Sequence, residues 1–323
     1  MSSGNSPALS KAVIFSLSGP CVTEGERAFF SQTAPFGFIL FKRNIEDPAQ
    51  LAALVRRLRE CAGWECPVLI DQEGGRVQRM GPPHWPAYPA AGCCAGTEEV
   101  AAVSCGIAKD LAAVGIDVNC APVLDVLFEQ THEAIGDRAF SSDVDDVLCR
   151  GKKTCEMFLE RGVTPVLKHL PGQGRAAQDS HHDLPVVAAS LADLRAVDFV
   201  PFKGLLAEPF APALWGMVSH IVYQAIDPDR PASVSRRVIE VIRQDIGWNG
   251  LLLSDDISMG ALDSCGPLED RCKAMLEAGC DIALYCAGNL EEMKKIAACL
   301  PALRPESLER YERSRRIRRR PAA

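Results

Sequence analysis

The chain has 323 residues, 47% of them hydrophobic, with a mean hydropathy of +0.02 and a formal charge of −7. That is enough apolar chain for a large core, and the acid excess excludes a general nucleic-acid binder even though seven arginines gather between Arg310 and Arg320. No uncharged run approaches the ~18 residues of a membrane span, the apolar run near the N-terminus is too short for a signal peptide, and fourteen cysteines without a Cys-x-x-Cys pair fit the buried thiols of a soluble cytoplasmic protein.

In chain order, short apolar runs alternate with amphipathic stretches. The runs span Ala12 to Gly19, Gly37 to Arg43, Pro67 to Gly74, Gly115 to Val126, Gly162 to His169, Leu214 to Tyr223, Gly250 to Ser258 and Cys280 to Gly288. Between them, helical periodicity covers Asp47 to Cys61, Glu98 to Val114, Asp143 to Arg161, Ser190 to Leu206, Ser235 to Ile246 and Leu268 to Ala278. Eight strand-like runs separated by helix-like ones predict an α/β fold, a single-domain (β/α)8 TIM barrel. A doubly wound sheet would place a Gly-rich phosphate turn after its first strand, and neither GxGxxG nor GxxxxGK[ST] stands there. The barrel is expected over residues 1–305, with 306–323 as a basic, helical, solvated tail.

A barrel builds its site at the C-terminal ends of its strands, and polar residues fall there in five of the eight runs. These are Asp71, Asp125, Lys168 with His169, His220, and Asp255 with Asp256. The stretch LKHLPGQGRAAQDSHHDLP, Leu167 to Pro185, adds Asp179 and His181 on a Gly-rich segment free to fold back over Lys168 and His169. An Asp two residues before a His can orient the imidazole for acid/base work. A mouth of Asp71, Arg79, Arg138, Lys168, His169, Asp179, His181 and Asp255 has many hydrogen-bonding groups and no phosphate cradle, which suits a polyhydroxylated ligand such as a sugar. Hydrolysis with retention needs a carboxylate nucleophile and a separate acid/base, which Asp255 and the Asp179/His181 pair would supply.

Six blocks in order, GFILFKRNI (37–45), IDQEGGRVQRM (70–80), APVLDV (121–126), IGDRAF (135–140), KHLPGQG with DSH (168–174, 179–181) and SDDISMGA (254–261), resemble glycoside hydrolase family 3. Within that family the resemblance is to its single-domain β-N-acetylglucosaminidases. It implies Asp255 as the nucleophile and His181, paired with Asp179, as the acid/base. It further implies Asp71, Arg79, Arg138, Lys168 and His169 as the groups holding the terminal GlcNAc. The implied substrate is a GlcNAc-anhydroMurNAc fragment of peptidoglycan in cell-wall recycling, handled in the cytoplasm by a monomer without cofactor, metal, nucleic-acid or membrane partner. The chain departs from the family's KHFPGHG at Leu170 and at Gln173, the latter replacing a histidine with a side chain that cannot titrate.

Other readings make distinct demands. A phosphorylase would use phosphate in place of water, since a neutral imidazole leaves no second anion near the glycosyl-enzyme. A non-catalytic sugar-binding barrel has no need of an intact Asp255 with Asp179 and His181. A metal hydrolase would need ligand spacing such as HExxH, which is missing, and Lys168 beside His169 repels a cation. Asp256 is expected to serve structure because consecutive strand residues point opposite ways, Asp125 to fix neighbouring backbone or an arginine, and His182 and Asp183 to be exposed. His220 is equally suited to lining the pocket or to a satisfied place at the mouth.

Overall fold

The computed structural model describes residues 7–180 and 183–317. Ten strands form in chain order: β1 (Lys11–Phe15), β2 (Pro35–Leu40), β3 (Val68–Ile70), β4 (Val118–Asn119), β5 (Thr164–Leu170), β6 (Val186–Val187), β7 (Trp215–Val218), β8 (Val222–Tyr223), β9 (Leu252–Asp256) and β10 (Ile282–Leu284). Eight of them close into a parallel barrel in the order β1-β10-β9-β7-β5-β4-β3-β2. Helices cover the outside of the barrel and strand side chains fill its interior, so β2, β3, β7 and β10 are unbroken buried apolar runs rather than alternating ones. The (β/α)8 barrel read from the sequence is the fold. A two-stranded parallel sheet of β6 and β8 beside the mouth was not anticipated.

Two helices also escaped the sequence reading. Glu24–Thr33 is short, with Phe29 and Phe30 on its buried side, and Thr23 and Glu26 form a reciprocal capping box that marks its start. Leu290–Cys299 is capped by Asn289. The stretch expected as one helix from Ser190 to Leu206 is broken into Leu191–Asp193, a wide turn at Leu194–Asp198 and Val200–Leu206, because Pro201 brings no N–H to the ladder.

The basic segment is not a solvated tail over its described part. Helix Pro305–Ile317 inserts Tyr311 among Phe36, Trp64 and Trp215 at the N-terminal ends of the strands, and Ser314 accepts a hydrogen bond from the Trp215 indole at 3.0 Å. Asp281, fully buried, accepts from Arg243 (2.7 Å), Ser307 (2.5 Å), Arg310 (2.7 Å) and the backbone N–H of Leu252 (2.8 Å). One carboxylate thus ties the closing helix to the barrel floor. Among the described residues no helix is long and apolar enough to cross a membrane.

Candidate active site

At the other end of the barrel, β5 runs further than its apolar pattern. Lys168 and His169 lie inside the strand and are buried, which their pairing permits. The Lys168 ammonium lies 2.5 Å from Glu73 Oε1 and 3.2 Å from Asp71 Oδ1. Arg138 donates through Nε and Nη2 to the two oxygens of Glu73, at 2.8 and 2.9 Å, in a fork that fixes both partners. Burial pushes the Glu73 carboxyl up, but Lys168 and Arg138 outweigh it and hold the group down at about 2. Arg79 reaches the other oxygen of Asp71 at 3.4 Å. Glu73 stands in the IDQEGGRVQRM block two residues after Asp71 and is not among the residues chosen there; a second carboxylate ahead of two arginines is the signal.

His169 is oriented from behind. Its Nδ1 lies 2.6 Å from Asp125 Oδ2, and because a carboxylate only accepts, Nδ1 carries the proton and Nε2 is left for a ligand. Asp125 also accepts the backbone N–H of His169 at 3.2 Å and of Gln173 at 2.6 Å. It fixes backbone, as expected, and a histidine rather than an arginine.

Asp255 ends β9 one residue before Asp256, and the two diverge as strand geometry requires. Burial alone would raise the Asp255 carboxyl; His220, His169, the Asp256 N–H and Lys168 together hold it below its usual range. Asp256 is raised by burial and spends its oxygens on Ser258 Oγ (2.6 Å), Ser258 N (3.1 Å) and Cys286 N (3.1 Å), a structural role. His220 is a satisfied mouth histidine. Its Nε2 donates to the Asp256 carbonyl at 2.9 Å, its Nδ1 pairs with Ser233 Oγ at 2.7 Å, and burial lowers its pKa against the opposing pull of Asp255 and Asp256.

The segment after β5 is rooted more firmly than its glycines imply. The Gly172 carbonyl accepts from the Tyr223 hydroxyl at 2.9 Å, and the Gly174 carbonyl accepts from Thr131 Oγ1 at 2.5 Å. A Cβ at 174 would sit 1.8 Å from the Val126 carbonyl oxygen, so glycine serves close approach there rather than freedom. Arg175 pairs with Asp198 at 2.7 Å and stacks over Phe128, 4.1 Å from the ring centre. His181 and His182 lie outside the described residues.

These residues enclose a cavity of about 330 Å³ lined by Asp71, Arg79, Arg138, Lys168, His169, Asp179 and Asp255, with Glu73, Arg76, Gln173 and Ser180 added by the structure. Every described residue chosen from the sequence therefore meets at one place. Among the described residues no cluster has the donor set of a metal site.

A (β/α)8 barrel whose mouth opens a half-buried aspartate, its carboxyl held below the usual range, among paired cations and carboxylates has the layout of a barrel enzyme with a polar cavity. A sequence profile described as the glycosyl hydrolase family 3 N-terminal domain matches residues 22–319. The chain belongs to that family and is a glycoside hydrolase. It is 34% identical over 310 residues to a beta-hexosaminidase of Idiomarina loihiensis, spanning 93% of this chain and 91% of that one. It is 35% identical over 309 residues to a beta-hexosaminidase of Pseudomonas aeruginosa, spanning 93% and 90%. Among solved structures, NagZ of Neisseria gonorrhoeae in complex with N-trifluoroacetyl-D-glucosamine superposes with a TM-score of 0.85 at 28% identity, over 95% of this chain and 90% of that one.

Proposed function

We propose that this family 3 hydrolase is a retaining exo-β-N-acetylglucosaminidase that removes terminal GlcNAc from peptidoglycan fragments of the GlcNAc-anhydroMurNAc type, in the cytoplasm. Its relatives' beta-hexosaminidase activity supports the reaction class. The observation that carries the mechanism is Asp255, half-buried near a strand end, its carboxyl held below the usual range by its surroundings, and opening on the cavity. Its carboxylate attacks the anomeric carbon while His181, two residues after Asp179, protonates the departing oxygen. The C–O bond to the leaving group breaks as the bond to Asp255 forms. His181 then takes a proton from water, which displaces Asp255 and restores the starting configuration. Asp71 accepts from sugar hydroxyls, Arg79, Arg138 and Lys168 donate, and His169 offers Nε2.

Water is favoured over phosphate as the acceptor. Arg76 pairs with Asp137, Arg79 with Asp71, Arg138 with Glu73, and Lys168 with both Asp71 and Glu73. A phosphate dianion would have to break one of these pairs to find a cation. The test is turnover of an aryl β-GlcNAc by the wild type and by Asp255→Ala and His181→Ala, with and without phosphate. Asp255→Ala is expected to lose turnover while still binding sugar, and His181→Ala to lose more on poor leaving groups than on good ones. Full rate in Asp255→Ala, or a rate that requires phosphate, would refute the reading.

A further inference from the structure

Gln173 stands where the family motif carries a histidine, and the mechanism above gives its side chain no task. Its main chain is fixed from both sides, by the hydrogen bond from its N–H to Asp125 and by the contact of Gly174 with the Val126 carbonyl. From that fixed point the side chain, 4% exposed, lines the cavity. A primary amide carries two N–H donors and an oxygen with two lone pairs. Here the nitrogen makes one long contact, 3.5 Å to Ser180 Oγ, and the oxygen is buried without a partner. Turning the amide over lets Ser180 donate to the oxygen but strands the nitrogen instead, so one end stays unpaired in either orientation.

An unpaired buried carbonyl costs about 1–3 kcal/mol, and a native pocket keeps one where something absent completes it. The cavity wall does not supply the partner. Its cations are claimed by carboxylates, and Ser180 serves only one end of the amide.

We propose that Gln173 is a ligand-binding residue of this site: its amide oxygen, shielded in the free chain, turns into the cavity it lines and accepts a hydrogen bond from a neutral donor of the bound sugar, either a ring hydroxyl or the acetamide N–H. This rests on the sugar reading of the same cavity. The contact has a property the family's histidine lacks: an amide keeps one protonation state across the range in which an imidazole titrates.

Steady-state kinetics of the full chain on an aryl β-GlcNAc and on the matching aryl β-glucoside, from about pH 5.5 to about pH 8, test it. Gln173→Leu keeps most of the bulk, ends one atom short and removes both hydrogen-bonding ends. KM is expected to rise roughly 3- to 10-fold with little change in kcat, the loss of one neutral hydrogen bond. A rise on the GlcNAc substrate alone assigns the donor to the acetamide, and an equal rise on both assigns it to a hydroxyl. Gln173→His is expected to restore binding but to make KM depend on pH where the wild type is flat. An unchanged KM on both substrates in Gln173→Leu, with a raised thermal midpoint, would mean that the amide is only a structural cost and overturns the proposal. Should the leucine variant fail to fold, a pH-flat KM in Gln173→His overturns it instead. A wild-type chain that turns over neither glycoside overturns the sugar reading along with it.

Discussion

Glu73 faces two cations that would repel each other without it, and its two oxygens set where both Arg138 and Lys168 can stand. Because its carboxyl is held at about 2 in the folded chain against an ordinary 4.5, its stabilisation is fully present above about 4.5 and is lost as pH falls toward 2. Glu73→Gln keeps the shape and removes the charge. The variant is expected to be less stable than the wild type at neutral pH, with the gap in urea midpoint narrowing as pH drops through that window; a gap independent of pH would refute the assignment. Asp71, Arg79, Arg138, Lys168, His169 and Asp255 were legible in the sequence because each sits in a short block with its own pattern of neighbours. The partnerships were not, since Lys168 meets Asp71 across 97 residues and Arg138 meets Glu73 across 65. Nothing local in the chain encodes those distances.

Among the elements, strands such as β2, β3, β7 and β10 could be read because burial on both faces writes an uninterrupted apolar run, whatever the neighbouring sequence. The helices at 24–33 and 290–299 are only ten residues each and are passed over, although their caps announce both and Met293, Ile296 and Ala297 recur at helical spacing in the second. The first residues after β5, Gly172 to Gly174, are anchored despite their glycines, since Gly174 and Gly172 allow approaches that a side chain would block. Gly174→Ala is expected to destabilise by about 1–3 kcal/mol through overpacking against Val126. Its activity should fall further than its thermal midpoint would explain, because Gln173 and Lys168 move with it. Thermal melting beside kcat/KM checks this, and a variant with wild-type values on both would show that the contact yields easily.

At the scale of the whole molecule the two ends of the barrel are held by different means. The mouth is a network of paired charges, and the floor is an aromatic plug locked by Asp281. Reading the last helix as a tail followed from its arginines, but Arg310 spends its charge on Asp281 and Tyr311 faces inward. Composition alone does not reveal which side of such a helix is covered. Asp281→Ala leaves the half-buried Arg243 and Arg310, and the buried Ser307 hydroxyl, without their acceptor and is expected to cost about 2–4 kcal/mol. KM in the molecules that remain folded should be unaltered, because the floor and the mouth share no side chain. Urea denaturation with kinetics at low temperature separates the two effects, and a shifted KM would show that the ends communicate.

The cavity wall holds four carboxylates, Asp71, Glu73, Asp179 and Asp255, and four cations, Arg76, Arg79, Arg138 and Lys168. Opposite charges this closely interleaved cancel one another within a few ångströms and cast little field into the solvent. A ligand is therefore not drawn in from a distance. Capture is left to diffusion and shape, at a pace that dissolved salt neither quickens nor slows, and the protein's net acidity stays a property of its outer surface.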